Sequence, residues 1–401
     1  MEKLLNGIKV LDFTNNIAGP STTALMADHG AEVFHIEKPI WGDDCRNFPP
    51  LFDGVSSTHM KVNRGKKSVV LNLKDPIAVD VIRKMIPDMD VVVESARPGV
   101  MKKLGLSYDD LKELNSRLVY CSISAYGQDG PYAEKAGYDV IAQAFSGFMY
   151  YTGEPTGNPT KITSAIGDLS TAINAFGQIM LALFYRERSG KGQFVDVSLC
   201  RTLVWMNGGF EYLYTGKHRQ RTGNHDAQLC PYGIFKRSDE EYIVIGAVNV
   251  SLWVKLCKAM GREDLAQDER FITNDKRVEN SAAVIDIIEQ WLESLPSVEV
   301  ASRLLDSFGV PNCKLNTMED IVNDPQVIDQ NWLYDVPACI GVNSVKSILV
   351  PCLLAELSEA EPTIRASAAL GEDSVNVLSH YGLSEEEISE YEKKWADTKL
   401  C

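Results

Sequence analysis

The cysteines of this chain form no pairs in sequence. Nine are scattered singly, at Cys45, Cys121, Cys200, Cys230, Cys257, Cys313, Cys339, Cys352 and Cys401, with no CxxC spacing. An odd number without pairs argues against a disulfide framework and for reduced thiols in a cytoplasmic protein. Histidine is scarce as well. The six residues include no HxH or HxxxH pair, so no metal site is expected. Basic charge is in deficit: the formal net charge is −15. That excludes a broad nucleic-acid surface, because phosphate binding needs a basic footprint. No apolar run reaches the roughly 18 residues of a membrane span. The opening "MEKLLNGIKVLDF" lacks the basic start and apolar run of a signal peptide. No GxGxxG follows the first strand pattern and no GxxxxGK[ST] occurs, which weakens an ordinary dinucleotide or P-loop reading.

What is present is globular. The chain has 401 residues, 45% hydrophobic and 24% charged, enough for two domains or one large domain with an insertion. Its first third alternates strand and helix patterns. "IKVLDFT" (8–14), "AEVFHIE" (31–37), "SVVLNLK" (68–74), "DVVVES" (90–95) and "LVYCSIS" (118–124) read as strands. "GPSTTALMADHG" (19–30), "DPIAVDVIRKMI" (75–86) and "SYDDLKELN" (107–115) read as helices, the second with Asp at its N-cap and Pro at N1. Apolar strands alternating with helices predict an α/β, Rossmann-like domain with a parallel sheet. Near residue 215 the pattern becomes richer in turns, and "PYGIFKR" and "EYIVIGAV" around "SDE" predict a hairpin. The expected layout is a large domain over 1–215 to which 330–401 returns, and a smaller α+β domain over 216–329.

"TSAIGDLSTAINAFGQIMLALFYRERSGKG" (163–192) reads as a long apolar helix with Asp168 at its mouth. Taken alone, that residue is a helix cap: Asp is favoured at the N-cap, and the helix dipole favours a carboxylate there.

Other stretches change that reading. "VLDFTNNIAGP" (10–20), "ADHGAEVFHIEKP" (27–39), "ISAYGQDGPYAEKAGYDVIAQAFSG" (123–147) and "IGDLSTAINAFGQIMLALFYRERSGKGQFVDVSL" (166–199) follow one another in that order. "RTGNHDAQ" (221–228), "GVPNCKLNTMEDIVNDPQV" (309–327) and "LGEDSVNVLSHYGLSEEEI" (370–388) come after them. Together they closely resemble the family III CoA-transferases, the CaiB/BaiF group, over essentially the whole chain. The resemblance implies that Asp168 is a covalent nucleophile. It would take an acyl group from an acyl-CoA as an aspartyl anhydride and then carry CoA as a thioester to a carboxylic acid acceptor. Coenzyme A is then a substrate, with no permanently bound cofactor and no metal. The resemblance also implies a CoA site at Ile17, Ala18, Lys38, Leu71, Asn72, Leu73, Lys74, Arg97 and Lys103, with Tyr138 near the thioester. It implies an interlocked homodimer in which each chain threads the ring of the other, with no nucleic-acid or membrane partner.

Two departures bear on the substrate. Oxalate and formate enzymes of the group carry His and Gln where this chain has Asn15 and Ile17. They also close the site with a glycine run where "IVIGAVNVSLW" has only Gly246. A small dianion such as oxalate is therefore disfavoured as acceptor; a carnitine-like betaine, a bile acid, a 2-hydroxy acid and a dicarboxylate all remain open. Two other readings remain open. A 2-methylacyl-CoA racemase of this scaffold carries a "GHD" histidine where this chain reads "AGYD"; Tyr138, with a phenolic pKa near ~10, is a poor base for an α-proton. A non-catalytic CoA-ester binding protein is expected to have lost the aspartate, which is present.

Overall fold

The computed structural model describes residues 3–209, 211–238, 240–351 and 357–396. The chain folds into two compact units. The first takes in Met1–Phe148, Ile162–Asn207 and Ile328–Cys401; the second takes in Met149–Lys161 and Gly208–Val327. The second unit thus includes 149–161, which the sequence pattern left with the large domain.

The first unit is built on a six-stranded sheet. Its strands are β1 (Lys9–Phe13), β2 (Glu32–Glu37), β3 (Lys67–Val70), β4 (Val91–Glu94), β5 (Val119–Ser124) and β6 (Phe194–Ser198). Their spatial order is β3-β2-β1-β4-β5-β6, and every pair is parallel. This is the doubly wound order, which reverses direction between β1 and β4 and opens a crevice at the carboxyl ends of those strands. Both faces are covered, so the strands alternate between two cores. Leu11, Val69, Val92 and Tyr120 face one cluster with Ala78, Ile82 and Met85 of α2 (Pro76–Met85). Val10, Val33, Val91, Val93 and Val119 face the other with Met26 of α1 (Ala18–Asp28) and Ala175 and Ile179 of α4 (Ile166–Ser189). Between them in sequence lies the short helix α3 (Asp139–Phe145), and α5 (Leu199–Met206) follows β6. Among the described residues only α4 has the length and apolarity of a membrane span. One face of it, with Ala175, Ile179 and Ala182, packs into this core, while Ile173, Leu181 and Phe184 are exposed.

Local sequence accounts for several boundaries. The Asp75 side chain accepts the Ile77 N–H at 3.1 Å, and Pro76 occupies the first turn of α2. Three expectations differ. The strand predicted over 68–74 stops at Val70, because Asn72 turns back to accept the Lys74 N–H at 3.0 Å. The helix predicted over 107–115 is a single turn, Tyr108–Leu111. Strand β6 was not expected at all.

The second unit carries the expected hairpin, β7 (Tyr232–Lys236) and β8 (Tyr242–Gly246), extended by β9 (Asn312–Lys314) into an antiparallel sheet. Helices Val250–Ala259, Ser281–Glu293 and Val298–Ser307 bury Trp253, Ile288 and Leu305 in one core with Phe235 and Ile243. In the first unit, helix Glu385–Ala396 brings Tyr391 to accept the Asn72 N–H at 2.6 Å.

Candidate active site

The crevice of the sheet is lined by three chain segments that leave strand ends. After β1, the Asn15–Asn16 loop leads into α1. Asn16 takes a left-handed conformation (φ 75°), one that asparagine tolerates better than most residues. Gly19 lets α1 close onto the strand end: a Cβ there would lie 2.3 Å from the Thr14 Cβ. After β4 comes Ser95–Pro98, whose Ser95 hydroxyl accepts the Asn15 N–H at 3.0 Å. After β5 comes the segment leading to Tyr138 and α3.

A network of buried charge holds the Asn15–Asn16 loop. Asp12 and His35 are fully buried side by side, with His35 Nδ1 3.2 Å from Asp12 Oδ2 and Nε2 3.5 Å from Asp43 Oδ2. These are ion-pair separations rather than well-aligned hydrogen bonds. Burial alone would lower the His35 pKa, but the Asp12 charge and then contacts with Asp12 and Asp43 outweigh it and push it up to about 9. Burial would raise the Asp12 carboxyl; Lys66, 3.0 Å away, and His35 instead hold it well below the usual carboxylate range. Asp43 in turn accepts the Asn16 N–H at 2.9 Å, and Asn15 donates to Asp44 at 2.6 Å.

The cavity this creates has a volume of about 220 Å³. Of the residues singled out in the sequence, Ile17, Ala18, Arg97, Tyr138 and Asp168 line it. A neighbouring cavity of about 350 Å³ is lined by Lys38, Leu71, Asn72, Leu73 and Lys74, and the two share Asn15. Lys103 lines neither, but it ends the helical turn Val100–Lys103 whose Val100 lines the second. Two placements qualify the sequence reading: Lys38 is paired with Asp44 at 2.5 Å, and Leu71 is 2% exposed in the hydrophobic core. Lys135 lines the first cavity and was not singled out; it stands in the same "EKAGYD" segment as Tyr138.

Asp168 is not the cap of its helix. The N-cap position is Ala165, and Asp168 is the third helical residue. Its carboxyl faces the cavity and takes no hydrogen bond among the described residues. Burial, and then the charge of Asp139, push its pKa up to about 7. A carboxylate without hydrogen bonds in a partly dry site is a stronger nucleophile than one in water. Among the described residues no group of three or more metal-ligating side chains occurs.

A doubly wound sheet with a carboxyl group and two cations, Arg97 and Lys135, at its crevice defines an α/β protein built for an anionic ligand at the strand ends. The chain belongs to CoA-transferase family III, whose model matches residues 5–374, and it is a CoA-transferase. It is 36% identical over 383 residues to the succinyl-CoA:glutarate CoA-transferase of Homo sapiens, covering 94% of this chain and 85% of that one. It is 37% identical over 331 residues to the acetyl-CoA:oxalate CoA-transferase of Acetobacter aceti, covering 82% and 85%. The fold is similar to that of a CaiB/BaiF family protein from Brucella suis, with a TM-score of 0.82, 33% identity, and 95% and 100% of the two chains covered.

Proposed function

We propose that this enzyme moves CoA from an acyl-CoA donor to a short dicarboxylic acid through covalent intermediates on Asp168. The observation that carries the reading is the Asp168 carboxyl, without a hydrogen-bond partner among the described residues, in one cavity wall with Arg97, Lys135 and Tyr138. An Asp168 oxygen attacks the thioester carbonyl, the C–S bond breaks, and CoA leaves as thiolate. The thiolate attacks the aspartyl carbonyl of the mixed anhydride and releases the donor's acid, leaving an aspartyl-CoA thioester. The acceptor carboxylate then expels CoA from Asp168 as thiolate, and that thiolate takes the acceptor's acyl group from the new anhydride and frees Asp168. Activation is conserved at each step, so the chemistry needs neither ATP nor a metal.

Support for a dicarboxylate comes from the two relatives, whose names carry glutarate and oxalate, both with two carboxyl groups; for oxalate this runs against the expectation drawn from Asn15, Ile17 and Gly246 that a small dianion is disfavoured. Lys135 supplies a cation for the second carboxylate, which a betaine or a sterol acid would not need. Incubation with succinyl-CoA and a panel of glutarate, malate, oxalate, carnitine and cholate, read by mass spectrometry, tests this. A CoA ester of a dicarboxylate is expected; turnover with carnitine or cholate alone would overturn the acceptor assignment.

The CoA site is assigned to the two adjoining cavities, with Arg97 and Lys103 on the phosphates. Both residues are exposed, so Arg97→Ala and Lys103→Ala are each expected to weaken CoA-thioester binding only about three- to tenfold. A pantetheine thioester, which lacks the nucleotide phosphates, is expected to lose little. Equal losses with both donors in steady-state kinetics would move these residues to the acyl end.

The interlocked homodimer is part of the same reading. Leu181 and Tyr185 of α4 and Trp205 of α5 line one cavity and are 61%, 50% and 80% exposed. Large apolar side chains grouped in this way on a surface are usually covered by a partner.

A further inference from the structure

The first turn of α4 is capped from outside its own sequence. Four N–H groups at a helix start need partners. Ile166 donates to the Ser164 carbonyl at 2.8 Å, and Leu169 makes the first bond within the helix, to the Ala165 carbonyl at 3.0 Å. The two between them, Gly167 and Asp168, both donate to one oxygen of Asp139, at 2.6 and 3.4 Å. Ala165 at the N-cap has no side-chain acceptor of its own. The other Asp139 oxygen accepts from Gln143 Nε2 at 2.7 Å, and Gln143, 1% exposed, is held in turn by the Ile162 N–H at 2.9 Å. Gly167 is what permits the approach: a Cβ there would stand 2.9 Å from the Asp139 oxygen.

The geometry assigns Asp139 as the positioning residue of the nucleophile: its carboxylate takes the Gly167 and Asp168 amides, so the Asp168 side chain is spared that duty and its oxygens are left free toward the cavity. The inference rests on Asp168 being the nucleophile. A serine or threonine cap would satisfy the same amides, but only a carboxylate sets a like charge beside the attacking group. Like charge disfavours the ionised form and makes the ion more basic once formed. That agrees with the second cause of the raised Asp168 pKa, after burial. The other charged or titratable side chains lining the cavity with Asp168 are Arg97 after β4 and Lys135 and Tyr138 before α3. Strand β5 contributes Ile123 and Ser124 to the wall, the start of α1 contributes Ile17–Gly19, and α5 contributes Leu199.

The test is the rate at which an acyl-CoA forms a covalent adduct on Asp168, followed by rapid quench and intact-protein mass spectrometry from pH 5 to 9. The wild type is compared with Asp139→Asn and Gly167→Ala. Asp139→Asn removes the charge and sets an amide N–H₂ against Gln143. Adduct formation is expected to slow about tenfold or more, with the midpoint of its pH profile about one unit lower. Affinity for the CoA ester is expected to change less than about threefold, since Asp139 acts through Asp168 and not on the ligand. A residue that only capped the helix would lower the melting temperature and leave the midpoint in place. Gly167→Ala keeps both charges and pushes the carboxylate away, so it should slow adduct formation while leaving the midpoint within about half a unit. A folded Asp139→Asn protein with wild-type rate and midpoint overturns the inference. Should that variant not fold, a wild-type rate in Gly167→Ala overturns it. Absence of any Asp168 adduct in the turning-over wild type would instead overturn the nucleophile assignment, and the inference with it.

Discussion

Asp168→Ala should be folded and catalytically dead, with CoA transfer down by at least about a thousandfold, because the proposed mechanism carries every acyl and CoA group on that carboxyl. Asp168→Asn should match it in activity and differ in stability. The ordinary aspartate pKa of 3.8 is raised in the folded protein to about 7. The folded state therefore holds this proton more tightly than the unfolded chain. The contribution of Asp168 to stability is full below the unfolded pKa and is lost as pH rises through about 7. At pH 8 the wild type bears a buried charge that the amide does not. Asp168→Asn should melt a few degrees higher there, with a gain of at most about 4 kcal/mol from a shift of that size. At pH 4 the two should melt alike. On the proposed mechanism only the Asp168 carboxylate attacks, so the transfer rate should rise with pH through a midpoint near 7. Calorimetry at pH 4 and 8, with a pH–rate profile, checks both halves. A stabilised, inactive variant is the pattern expected where function is maintained at a cost in stability.

His35→Leu should cause the largest loss of stability among the residues around the site. It leaves Asp12 and Asp43 facing each other across a buried space with one cation, Lys66, on the Asp12 side. Breaking a buried ion pair by removing one partner costs about 3–5 kcal/mol. The His35 pKa lies above its unfolded value, so its contribution is fully present below the ordinary histidine pKa and is lost as pH rises through about 9. The deficit of His35→Leu in a urea melt should therefore be largest at pH 6 and shrink above pH 9. A deficit independent of pH would mean that packing, not charge, is what His35 supplies. Asp43 also holds the Asn16 N–H, so transfer activity should fall even where the variant is folded.

Much of the scaffold was legible in the sequence, because the signals are local. β1, β2, β4 and β5 are short apolar runs bounded by turns, and the start of α2 is written in the Asp75-Pro76 pair. β6 escaped because "FVDVS" follows a long helix after only a few residues, and Phe194 and Asp196 are exposed. Its strand character depends on Val195 and Val197 finding β5 alongside. The one-turn helix at Tyr108–Leu111 was overread: its capping box (Ser107 with Asp110) starts a helix, and Leu118 and Val119 must return to the sheet within a few residues.

The candidate site divides along the same line. By itself the sequence determined that a carboxylate stands at the head of a long helix, that "TNNIAGP" replaces a glycine-rich phosphate loop, and that the motifs follow the order of a CoA-transferase. Only the tertiary structure decided which residues meet. Parallel strands need a crossover between each pair, so Asn15, Arg97, Tyr138 and Asp168 come from far apart in the chain to one end of the sheet. Asp139 is 28 residues from the amide it caps, and no periodicity records a contact of that separation. Sequence patterns report what a residue does to its neighbours along the chain. The Asp168 carboxyl takes its character from burial and from a charge on another helix, and both arise only when the chain has closed.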